Sequence, residues 1–168
     1  VYPLPPMTHP DALAVRTMVQ MLTGTEIDPF RQVLVVEQGK ALEAGWRVAV
    51  RGRDTARLDW LDQRLWLGAE EGFLPHGRAG GPHDADQPVL LTTGTELANG
   101  AACLVSVDGA EVSAEEVAGA ARTMVLFDGN DHQAVEVARG QWRALTGAGA
   151  KAKYWSQESG RWEMKAEN

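Results

Sequence analysis

Apolar positions along this chain change period several times, and each change predicts an element. Val15, Met18, Val19 and Leu22 follow Asp11 at helical spacing, which predicts a helix that ends near Gly24. Before it, "VYPLPPMTHP" carries four prolines and fits neither a helix nor a central strand. "TGTEIDPF" reads as a loop. Residues 31–45, "RQVLVVEQGKALEAG", open with a valine-rich stretch that fits a strand and close on a helical pattern before Gly45. We read the whole stretch as one helix. "WRVAVRG" (Trp46–Gly52) predicts a strand. Asp54 or Thr55 then caps a helix in which Leu58, Leu61 and Leu65 form the apolar stripe.

The second half is more regular. "PVLLTT", "ACLVSVD" and "TMVLFDG" are continuous apolar runs of the kind found in strands covered on both faces. Between the last two, "SAEEVAGAA" predicts a helix with a capping box formed by Ser113 and Glu116. "DHQAVEVARGQWRALTGAG" is a long amphipathic helix, and "KAKYWSQESGRWEMK" predicts two strands around a turn at Ser159–Gly160. Strands alternating with helices at these lengths predict a three-layer α/β fold with a mostly parallel sheet. We expect residues 1–30 to form an atypical N-terminal segment and residues 31–168 a single domain.

Composition narrows the function. With 44% apolar and 23% charged residues, the chain has the profile of a soluble globular protein. It shows no apolar run of membrane-spanning length and no leader-like opening, so the expected location is cytoplasmic. The lone Cys103 sits in "AACLVSV" and is expected to be buried and inert. A net charge of −7 argues against a protein that coats nucleic acid, yet Arg139–Lys165 holds six basic and two acidic residues, leaving −11 for the rest. A local basic face on an acidic body suits a small acidic ligand.

Motifs for catalysis are missing. There is no G-x-G-x-x-G after a strand, no G-x-x-x-x-G-K-[ST] and no G-x-S-x-G; "TGAGAKAK" follows a helix instead of preceding one. The run "GFLPHGRAGGPHDADQP" gathers His76, His83, Asp84 and Asp86, which leaves open a metal-dependent hydrolase. The histidines are seven apart across glycines, however, unlike the close ligand pairs of zinc sites. His9 and His132 read as surface residues. The six tryptophans (46, 60, 66, 142, 155 and 162) read mainly as half-buried core, although Trp66/Phe73 and Trp142/Arg143 also suit interface anchors.

Several segments in order, "GWRVAVRG", "LDQRLW", "EEGFLPHG", "GGPHDADQPVLL", "VLFDGND" and "ARGQWRALTGAGAKAKYWSQESGRWEMKA", resemble the chi subunit of bacterial DNA polymerase III from about Lys40 to Ala166. The first thirty-odd residues depart from that family's usual opening strand. The resemblance implies a non-catalytic accessory subunit of the clamp-loader assembly, Rossmann-like in fold, with no nucleotide site and no cofactor. It also implies two partners. A psi-type clamp-loader subunit would contact Trp66, Phe73, Pro75 and His76. The acidic C-terminal tail of single-stranded-DNA-binding protein would contact Arg139, Trp142 and Arg143. At i, i+3 and i+4 these three share a helix face and set an aromatic wall between two cations, with Lys151 and Lys153 widening the positive field. DNA is then met only indirectly; direct single-stranded nucleic-acid binding by the basic strip is the competing reading.

Overall fold

A computed structural model describes residues 18–24, 45–66, 76–156 and 163–168 of the protein, the first of these by its backbone pairing. The N-terminal prolines, the start of the first expected helix and the helix expected over 31–45 up to Ala44 lie outside the described residues. So do Phe73, Pro75, the Ser159–Gly160 turn and Trp162.

The described elements run β1 (Met18–Gly24), β2 (Val48–Arg51), α1 (Thr55–Trp66), β3 (Gly77–Arg78), β4 (Val89–Thr92), β5 (Cys103–Ser106), α2 (Ala114–Gly119), β6 (Arg122–Asp128), α3 (His132–Gly147), β7 (Lys151–Ser156) and β8 (Glu163–Glu167). Among the described residues they form one eight-stranded sheet in the order β3-β4-β2-β5-β6-β1-β7-β8. Every described strand pairing is parallel except that of β8, which returns antiparallel to β7 with a bulge at Tyr154/Trp155. The α/β, mostly parallel expectation therefore holds.

One element departs from the sequence reading. Met18–Gly24 is not the end of a helix but a strand, with Val19 opposite Thr123 on one side and Ala152 on the other. A strand in the interior of a parallel sheet with helices on both faces need not alternate apolar and polar residues. "MVQMLTG" thus mimics helical spacing, and a short apolar run does not resolve the two periods.

Elsewhere the local chemistry acts as read. Asp54 begins α1: its Oδ1 accepts from Ala56 N at 2.8 Å and its carbonyl from Leu58 N at 3.1 Å. Leu58, Leu61 and Leu65 are then buried with Val48, Val50, Val89, Leu91, Val105, Met124 and Leu126, and each leucine contributes roughly 1.5–3 kcal/mol of transfer free energy. Cys103 is buried in this cluster too. Ser113 and Glu116 form both bonds of a capping box on α2. Asp131 caps α3, accepting from Gln133 N and Ala134 N. The opposite sheet face buries Ala49, Leu104, Val125, Phe127 and Ala152 beneath Ala138 and Leu145 of α3. Helices thus cover both faces, α1 on one and α3 on the other.

Candidate functional site

The side of α3 that meets β6 and β7 carries a pocket. Val135, Ala138, Arg139 and Trp142, spaced i, i+3, i+4 and i+7, form its helical wall, while Phe127, Tyr154 and Ala166 close it from the sheet, enclosing a cavity of about 240 Å³. Phe127 and Tyr154 stack with centroids 6.0 Å apart and an 18° tilt, so the floor is a flat aromatic surface. Trp142 is half-buried against the same core. Arg139 stands on the rim with its side chain 63% exposed, and its guanidinium donates to Glu136 Oε1 at 2.8 Å. Arg143, one turn further on, is exposed and makes no ion pair with another described residue. An apolar cavity with Arg139 at its rim has the chemistry to accept an aromatic ring attached to a negative charge.

The two lysines expected to widen this field sit elsewhere. Ala152 and Tyr154 of β7 face α3, whereas Trp155 packs with the cluster on the other face. Strand alternation therefore turns Lys151 and Lys153 away from α3. Lys153 lies 3.9 Å from Glu167 Oε1 across the β7–β8 pair. The aromatic and aliphatic members, Phe127, Val135, Ala138, Tyr154 and Ala166, went unnoticed in the sequence. Period-two counting from the buried Ala152 would have selected Tyr154 over Lys153.

A second constellation lies at the end of α1. Trp66, its last residue, is 57% exposed. The imidazole of His76, just before β3, packs against the Trp66 indole at 4.7 Å between centroids, tilted by 48°. Asp62, one turn before Trp66, places Oδ1 3.1 Å from His76 Nε2. The His76 ring is fully buried, so it holds Trp66 outward from beneath and offers no surface of its own. Asp62 was missed, although its i, i+4 spacing to Trp66 was visible. Alongside, the Arg57 guanidinium lies 4.3 Å over the Trp60 ring and bonds Asp108 at 3.0 Å.

The residues of the metal reading are not brought together. Asp84 spends both carboxylate oxygens on its own loop, accepting from Gly80 N at 2.8 Å and Gly81 N at 3.0 Å. His83 and Asp86 are exposed, while His76 is held by Asp62. Among the described residues no cluster of three or more His, Cys, Asp or Glu suits a metal ion.

Beyond the carboxyl ends of β2, β4 and β5 lies a crevice of about 990 Å³, the place where many α/β folds hold a ligand. Here Arg51 braces it from within. Its Nε donates to Gly94 O, Nη1 to Glu111 O and Glu116 Oε2, and Nη2 to Thr95 O and Glu116 Oε1. The hydrogen bond from Arg51, joined by those from Ser113 and opposed by partial burial, holds the Glu116 carboxyl below the usual carboxylate range. That guanidinium is committed to the fold, and Arg53 is the other cation lining the crevice. No helix among the described residues is long and apolar enough to cross a membrane.

The family model described as DNA polymerase III chi subunit, HolC, matches residues 20–153 of the sequence. No curated protein matches it.

Proposed function

The chain belongs to the DNA polymerase III chi subunit family, and from that premise we propose that it bridges a psi-type clamp-loader subunit to the acidic C-terminal tail of single-stranded-DNA-binding protein. Its accessory role in replication follows from the family; the bridging, the two partners, the absence of any catalysis of its own and action in the cytoplasm are the proposal. The pocket between α3 and β7 carries it. A tail that ends in acidic residues, a phenylalanine and a free carboxylate matches a cavity with an aromatic floor and Arg139 in its wall, with Arg143 exposed one turn further along α3. Burial of the ring contributes roughly 1.5–3 kcal/mol, and charge-assisted bonds add about 1.5–3 kcal/mol each before exposure reduces them, which puts the affinity in the micromolar range.

Titration with a fluorescent peptide copying such a tail tests this reading. The wild type binds at low salt, binding weakens as salt rises, and Arg139→Ala weakens it about five-fold or more. Absence of binding at tens of micromolar would sink it. Trp66, exposed and packed on His76, supports the same region, with Phe73, Pro75 and His76, as the psi-type contact; co-purification with a clamp-loader subunit, lost on Trp66→Ala, is the corresponding test. A bare oligonucleotide is expected to bind poorly, since the acidic remainder repels phosphates beyond the patch; tight binding without any partner protein would favour the nucleic-acid reading instead.

A further inference from the structure

Arg139 already holds a carboxylate. Glu136, three residues earlier on α3, accepts its Nη1 at 2.8 Å, with both side chains largely exposed at 65% and 63%. Arg139 is part of the cavity wall; Glu136 is not. The Glu136 carboxylate therefore engages one of the guanidinium's donors, Nη1, and competes there with an incoming carboxylate. Arg143, one turn further on, is exposed and has no ion pair among the described residues.

We propose that Glu136 is a specificity-determining residue of the pocket, an internal competitor that releases Arg139 only to a carboxylate attached to a ring seated in the cavity. The proposal rests on the tail-binding reading and adds to it. A ringless acidic segment exchanges one carboxylate for another at Arg139 and gains nothing from the exchange, while the charge of Glu136 repels it. A tail with a terminal aromatic adds ring burial to the same exchange and displaces Glu136. An exposed i, i+3 ion pair is weak, so the competition tunes binding instead of blocking it. The same charge one turn from the rim also opposes a run of acidic residues lying along the helix. Glu136 thus trades overall affinity for discrimination against the acidic surfaces of unrelated proteins.

The test uses the full chain as wild type, Glu136→Gln, Arg139→Gln and the double variant. Two synthetic acidic peptides serve as probes, one ending in phenylalanine with a free carboxylate and one with alanine in its place. Glu136→Gln leaves the helix and the fold intact, which circular dichroism and the melting temperature check. It is expected to tighten the phenylalanine peptide about two- to four-fold and the alanine peptide by more, so that the ratio between them narrows. In the Arg139→Gln background, the Glu136→Gln gain disappears. No gain on Glu136→Gln overturns the proposal, and so does an equal gain with Arg139 replaced, since a long-range field would then be the cause. Failure of both wild type and Glu136→Gln to bind the phenylalanine peptide overturns the tail-binding reading itself, and the competitor role with it.

Discussion

Arg51 and Glu116 illustrate how one pair of side chains can fix a region of this fold. The Arg51 side chain is 3% exposed and that of Glu116 23%, and together they tie β2 to α2 and to the loops at Gly94–Thr95 and Glu111. Removal of Glu116 leaves a buried cation with only carbonyl partners, so Glu116→Ala is expected to destabilise by about 2–4 kcal/mol in chemical denaturation. The pH dependence has a definite sign. Because the folded-state pKa of Glu116 lies below its unfolded value, its charge contributes stability that is fully present above the ordinary carboxylate range and is lost as pH falls through the folded value. Unfolding curves of wild type and Glu116→Gln should therefore differ most near neutrality and converge in acid; a gap that widens in acid would contradict the assignment. The sequence showed Glu116 only as the partner of Ser113 in a capping box. Its second role depends on Arg51, far away in the chain, and no local pattern encodes that meeting. Asn99 is a similar case: buried, it donates to Val48 O and Gln87 O and so stitches the entries of β2 and β4 together.

Among the elements, α3 does the most varied work. One side buries Ala138 and Leu145, an adjoining one builds the pocket with Val135, Arg139 and Trp142, and a third lines the crevice with Val137, Gly140, Gln141 and Ala144. These roles separate by mutation. Leu145→Ala should cost about 2–4 kcal/mol of stability and leave the folded protein's affinity for a tail peptide within two-fold; Arg139→Ala should do the reverse, measured by thermal melts and peptide titration together. The helical period, the caps at Asp54 and Ser113 and the apolar strands were legible because each depends on residues within a few positions. The strand Met18–Gly24 was not, since its pairing with β6 and β7 overrides a spacing that by itself suggests a helix. Lys151 and Lys153 were grouped with α3 by proximity in sequence and positive charge, whereas the two-residue alternation of β7 assigns them to the other sheet face.

For the whole molecule, the two constellations are well separated. Trp66, His76 and Asp62 belong to α1 and the β3–β4 end of the sheet on one face; the pocket belongs to α3 and the β7–β8 end on the other. The two proposed partner surfaces then share no residue. Trp66→Ala is accordingly expected to leave the tail-peptide dissociation constant unchanged within two-fold, and a large change in that titration would mean that the surfaces are coupled. The position of β1 has a kinetic consequence. Met18 pairs with Lys151 and Val19 with Thr123, so β1 finds its neighbours only after segments far later in the sequence have been made. Loop closure over that span is slow, and until it happens both β6 and β7 present a bare strand edge. Insertion of β1 is thus the step at which a nascent chain is most open to capture by chaperones or to misassembly with another copy.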